Sequence, residues 1–172
     1  MSARAALRSA TAAKHDAVDT AFGRFDLRDP GSYGRFLTTH ARVLPALERA
    51  LAACEALPPF PPRTELLRAD LDSLGLVMPD MMSVARPRSE AAAFGALYVI
   101  EGSRLGGAVL AKQVPASLPR AYLSAIHGPG GWRAFGDRLD RAELHGGAGW
   151  LDSAVAAAAA TFDLYLEAAE AA

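Results

Sequence analysis

Cysteine occurs once, at Cys54, so the chain can form no internal disulfide, no cysteine-rich zinc site and no dithiol redox pair, and a reducing cytoplasm suits it best. An excess of one charge is also missing. The 18 basic and 19 acidic residues leave a formal charge of -1 with no contiguous basic patch, which sets nucleic acid aside as a partner. Long apolar runs are absent. The alanine-rich stretch around Ala154 to Ala160 reaches Asp163 far short of the roughly 20 apolar residues a membrane helix needs. No apolar core follows Arg4 and Arg8 to make a secretory signal, so a soluble, cytoplasmic protein is expected. β-Branched residues are few, and nowhere do apolar and polar residues alternate over the length of a strand. An all-α fold is therefore predicted, as a single domain over residues 1–172 without internal repeats.

What is present is helical periodicity. Leu7, Thr11, His15, Val18 and Phe22 recur at intervals of three and four, predicting a first helix over 3–22 with His15 in its apolar stripe. Asp29-Pro30-Gly31 precedes a second helix starting near Ser32, whose stripe runs Tyr33, Leu37, His40, Leu44, Leu47 and Leu51. The Pro58–Pro62 segment is a stiff connector, because prolines remove donors and restrict their neighbours. A short helix should follow, capped by Thr64, with Leu67, Leu71 and Leu74 buried and Gly75 terminating it in the left-handed region. After a loop over 76–88, Ser89 opens a fourth helix with core positions Phe94, Leu97, Glu101, Leu105 and Val109. A weaker helix is predicted over 116–126, then two more over 132–144 and 148–170.

Within the fourth helix stand Gly102, Gly106 and Gly107. Each helix-interior glycine costs about 1 kcal/mol relative to alanine, so something there needs a bare backbone: a kink, a close helix crossing or a ligand. His15 has two readings as well, a metal ligand or a core histidine satisfied by hydrogen bonds. Arg8 lies nearly two turns before it, on nearly the same side, and suits a ligand with carboxylates. Glu101 and Ser103 flank the first glycine, where they can order a water. Other chemistries fail on spacing. No Gly-Lys-Ser/Thr follows the glycines, no glutamate is followed by histidine in the di-iron pattern, and nothing near Cys54 activates a thiol. His127 and His145 sit in glycine-rich breaks and are expected to be exposed.

Three segments together resemble the bacterial branch of the biliverdin-producing heme oxygenases: Leu7–Thr11 running into His15–Asp19, Tyr33–Leu37 with His40, and Tyr98–Gly107. The resemblance covers most of the chain. It implies a heme oxygenase-like helical fold with heme, both cofactor and substrate, between the first helix and a glycine-rich distal helix. By the same resemblance His15 ligates iron, Thr11, Val18, Phe22 and Tyr98 belong to the pocket, and Gly102, Gly106 and Gly107 form its distal wall. Arg8, with Arg133 or Arg138 on the sixth predicted helix, meets the propionates. Ser103 stands where well-known members carry an aspartate that anchors proton delivery, and with Glu101 it is the expected catalytic pair. The implied reaction consumes dioxygen and electrons from a ferredoxin or flavin reductase, and yields biliverdin, carbon monoxide and ferrous iron. Its bilin would serve a photoreceptor, or its iron the cell. A non-catalytic heme carrier or sensor is the alternative within this fold, and a ligand-free helical interaction module is the alternative outside it.

Overall fold

A computed structural model describes residues 2–172 and contains six helices: α1 (Ala3–Phe22), α2 (Pro30–Ala52), α3 (Thr64–Ser73), α4 (Glu90–Leu110), α5 (Gly131–Gly146) and α6 (Trp150–Glu170). Local chemistry explains most of the boundaries. Ser2 caps α1 by accepting from the Ala5 N–H, Asp29 caps α2 from Ser32, and Ser89 caps α4 from Ala92. Pro30 occupies the first turn of α2, where its missing donor costs nothing, so that helix begins two residues before the predicted Ser32. Gly75 takes φ +70 after α3, the left-handed geometry expected of it. Thr64 behaves otherwise than predicted. It lies inside the first turn, and its hydroxyl and N–H both donate to the Glu48 carboxylate, at 2.6 and 3.0 Å.

The core gathers Leu7 of α1, Tyr33, Phe36, Leu37 and Leu44 of α2, Leu67 and Leu71 of α3, and Leu97 and Ile100 of α4. Helices α1 and α4 both pack chiefly on α6. The α4–α6 crossing is close because α4 presents Gly95 there: a Cβ on it would lie 2.1 Å from the carbonyl oxygen of Ala154. The alanine run of α6 is the matching surface, with Ala154 and Ala158 fully buried.

No helix forms over 116–126. Pro119 removes a donor and disfavours helix at the residue before it, and the next N–H groups are claimed from outside. The buried Asp70 carboxylate accepts from Ala121 and Tyr122, at 3.0 and 2.8 Å, while the Tyr33 hydroxyl donates to the Pro119 carbonyl at 2.8 Å. The segment is thereby pinned as a wall of loop carrying the buried Tyr122 and Leu123. Leu105 and Val109 also depart from expectation, being 47 % and 60 % exposed, because their face of α4 borders a cavity instead of the core. No described helix is long and apolar enough to cross a membrane.

Candidate functional site

A cavity of about 840 Å³ opens between α1 and α4, with α2, α6, the 122–123 loop and the start of α5 closing its sides. This volume is in the range of small-molecule sites. Helix α1 contributes Arg8, Thr11, His15, Val18 and Phe22, which its 3.6-residue period aligns on one side. Helix α4 contributes Tyr98, Gly102, Ser103, Gly106 and Gly107. The two sequence signals are therefore brought to one space.

The glycines of α4 divide by role. A Cβ on Gly106 would meet nothing within 4 Å, so that position simply leaves the cavity open. On Gly102 it would touch only the Trp132 ring, at 3.4 Å. On Gly107 it would come within 3.1 Å of the Leu123 carbonyl, so Gly107 also serves close packing of the loop.

His15 is not a core histidine. Its side chain is 58 % exposed and borders the cavity, with Nδ1 3.2 Å from Asp19 Oδ2 and the ring edge-on to Phe162. A carboxylate at Nδ1 favours the tautomer protonated there and leaves Nε2 as a lone-pair donor, and Nε2 has no protein partner among the described residues. The described residues hold no cluster of three or more histidine, cysteine or acidic side chains able to bind a bare ion. One free imidazole suits instead a metal that brings most of its ligands with it.

Three expected residues lie elsewhere. Arg133 and Arg138 are on α5, the fifth helix, because the predicted helix before it does not form. Both are exposed, and neither borders the cavity. Glu101 is buried on another face of α4, paired with Arg104 Nε at 2.9 Å and 3.6 Å from His127 Nδ1, and it too is absent from the cavity wall. His127 is consequently held inside the fold, its side chain only 12 % exposed, whereas His145 is exposed as expected.

Sequence reasoning missed a polar group at the inner end of the cavity. Arg63, only 3 % exposed, donates through Nη2 to the Ile100 carbonyl at 2.7 Å and to Ser103 Oγ at 2.8 Å, and its guanidinium lies 5.2 Å from the Tyr122 ring centroid. Ser103 Oγ in turn donates to Ile100 at 2.8 Å. Arg63 Nε is buried without a partner among the described residues. The Tyr122 hydroxyl is 2.9 Å from His40 Nδ1, and burial pushes the phenols of Tyr122 and Tyr165 up. Burial also raises Tyr98, against the opposing pull of Arg8 and Arg4. Of these residues His40, Ser103 and Tyr98 had a sequence signal, whereas Arg63, Tyr122 and Tyr165 had none.

Desolvation, helped by the Arg63 charge, lowers the His40 pKa to about 3, so this imidazole is neutral in the folded protein. Below about pH 6.5 the unfolded chain takes up a proton that the folded chain refuses until about pH 3. Stability is therefore expected to fall across that window by about 1.4 kcal/mol per pH unit from this group. Urea midpoints measured from pH 7 to pH 4 should drop less steeply for His40→Gln than for the parent. Equal slopes would remove His40 as the cause.

No family model matches the chain. It is similar to a heme oxygenase of Xanthomonas campestris pv. campestris, 36% identical over 120 residues that make up 62% of this chain and 71% of that one. The fold matches the crystal structures of the NO- and CO-bound heme oxygenase from Neisseria meningitidis with a TM-score of 0.85, covering 99% of this chain and 92% of that one at 24% identity.

Proposed function

Because the chain belongs to the heme oxygenase family, we propose that the cavity between α1 and α4 receives heme as its substrate and that the protein opens the ring to biliverdin, carbon monoxide and ferrous iron. One observation carries this reading: an imidazole with a free Nε2 and a helix strip bare of side chains border the same cavity. The residues fit the group. A flat macrocycle needs a wall into which no Cβ projects, and Gly106 leaves that space empty. Its iron, held by four ring nitrogens, needs one imidazole, and His15 offers one.

Bound heme supplies the redox-active iron and is itself the molecule oxidised. Asp19 orients the His15 ring and fixes its tautomer. Val18, Phe22 and Phe162 exclude water from the apolar faces. Arg8, which with Arg4 acts electrostatically on Tyr98, receives carboxylates at the polar edge. Ser103 is the polar point of the glycine wall. Its proton is committed to Ile100, and the Arg63 guanidinium behind it donates to its oxygen. The polar edge along which a proton would enter is therefore the one that Ser103 and Arg63 border, since Glu101 does not reach the cavity. Electrons come from a ferredoxin or flavin reductase, in a cytoplasmic setting.

The test is single turnover. Reduced without oxygen and then exposed to it, the hemin complex should lose its Soret band and yield an extractable bilin; a return to ferric heme would instead identify a carrier. A second test uses Gly106→Ala. With open space around the new methyl, helix propensity should raise stability by about 1 kcal/mol, or roughly 2–4 °C in Tm. Hemin affinity should fall on the order of tenfold, about 1.4 kcal/mol, because the methyl occupies the cavity. Calorimetry and hemin titration read the two opposing effects.

A further inference from the structure

The apolar faces of a macrocycle carry no rotational information, since burial of apolar surface is non-directional. A smooth glycine wall adds none. In-plane seating is therefore set where side chains meet the ring's edge, by Arg8 at the carboxylates and by rigid apolar groups elsewhere, of which Trp132 is the largest bordering the cavity. Its indole stands against Gly102, with Cη2 3.4 Å from where a Cβ would be, tilted beside Tyr98 at 5.9 Å and stacked on Phe135 at 5.5 Å between centroids.

Trp132 is braced by His127, 5.7 Å between ring centroids. His127 Nε2 lies 3.0 Å from the Glu101 carbonyl and Nδ1 3.6 Å from its carboxylate, so one residue of α4 faces both ring nitrogens and hydrogen-bonds one of them. Glu101 is fixed by Arg104, which donates to the carbonyls of Ala125 and Pro61. Gly130, at φ +74, turns the chain so that residue 131 lies against His127, where a Cβ would be 3.1 Å from the His127 Cβ. A buried charge group is weak as a source of stability, but here its hydrogen bonds connect α4 to the Ala125 and Pro61 carbonyls. It ties the approach to α5 to the helix turn that carries Gly102.

We propose that Trp132 is a specificity-determining residue, an end stop that sets which meso bridge of heme is presented for opening, and that Glu101 and His127 are positioning residues acting through it. This rests on the heme reading given above. It also gives Glu101 a task other than proton delivery.

Three readouts test it. In the heme-free protein, the Trp132 share of tryptophan emission is obtained by difference from Trp132→Phe. His127→Ala should raise its acrylamide quenching constant at least twofold, and His127→Gln, which keeps a donor toward Glu101, should restore it. In the hemin complex, Trp132→Ala should change the amplitude of the Soret circular dichroism at least twofold or invert its sign, with the iron ligation spectrum unchanged. In turnover, the same variant should shift the ratio of bilin isomers, and His127→Ala should shift it in the same direction by less. Trp132→Leu, which keeps an apolar filler, should show both effects and separates a lost end stop from a lost fold. Unchanged dichroism and isomer ratio in both Trp132 variants overturn the end stop, and unchanged quenching in His127→Ala overturns the positioning role. If the parent binds hemin without producing a bilin, the oxygenase reading fails while seating is still judged by dichroism. If hemin does not bind, both fall.

Discussion

His15→Ala is expected to lower turnover by more than about a hundredfold and to abolish the histidine-ligated heme spectrum. Removing a partner that merely orients a metal ligand already costs 10- to 100-fold, so loss of the ligand itself sets that range as a floor. The protein should stay folded. The His15 side chain is 58 % exposed and buries little, and the buried anchors of α1, Leu7 and Thr11, are untouched. Hemin should still associate through the apolar walls, with an altered Soret maximum, and added imidazole should restore the original spectrum by entering the vacated space. Asp19→Asn should have a milder effect, on the order of tenfold. An unchanged spectrum in His15→Ala would refute His15 as the iron ligand.

Gly95→Ala should destabilise the fold by about 3 kcal/mol, lowering Tm on the order of 10 °C. Helix propensity alone predicts the reverse sign, a gain of about 1 kcal/mol. The steric effect wins because the new methyl would sit 2.1 Å from a backbone carbonyl of α6, and backbone at a helix crossing cannot step aside as a side-chain tip can. Thermal unfolding beside Gly106→Ala makes the comparison sharp: the same substitution, on the same helix, with opposite sign. A stabilised Gly95→Ala protein would show that the α4–α6 crossing yields.

Neither glycine can be ranked from sequence. Gly102, Gly106 and Gly107 stand out by their clustering, while Gly95 lies among alanines with nothing in its sequence surroundings to mark it, although it makes the closest contact of the four. What was legible was what local chemistry decides. The span of α1 and the Ser89 start of α4 follow from periodicity and end signals, while the meeting of His15, Arg8 and the glycine strip at one site was implied by the family resemblance and not by spacing. What was illegible depends on distant partners. Residues 116–126 carry a helical pattern, yet Asp70 takes the N–H groups of Ala121 and Tyr122 from fifty residues away. His127 has glycine neighbours that suggest exposure, but Glu101 draws it inward. Leu105 and Val109 show the limit of periodicity, which marks a face as apolar without saying whether protein or ligand covers it. Arg63 follows a run of prolines where no period exists, so nothing in its surroundings marked it as the charge behind the cavity.

Helices α1 and α4, the two broad walls of the cavity, both rest chiefly on α6, which follows them in the chain. During synthesis the histidine and the glycine strip therefore emerge long before the support that holds them at the right separation. A nascent chain has the chemical parts of the site without its shape, and premature capture of a reactive, poorly soluble ligand is disfavoured until α6 has been made and docked.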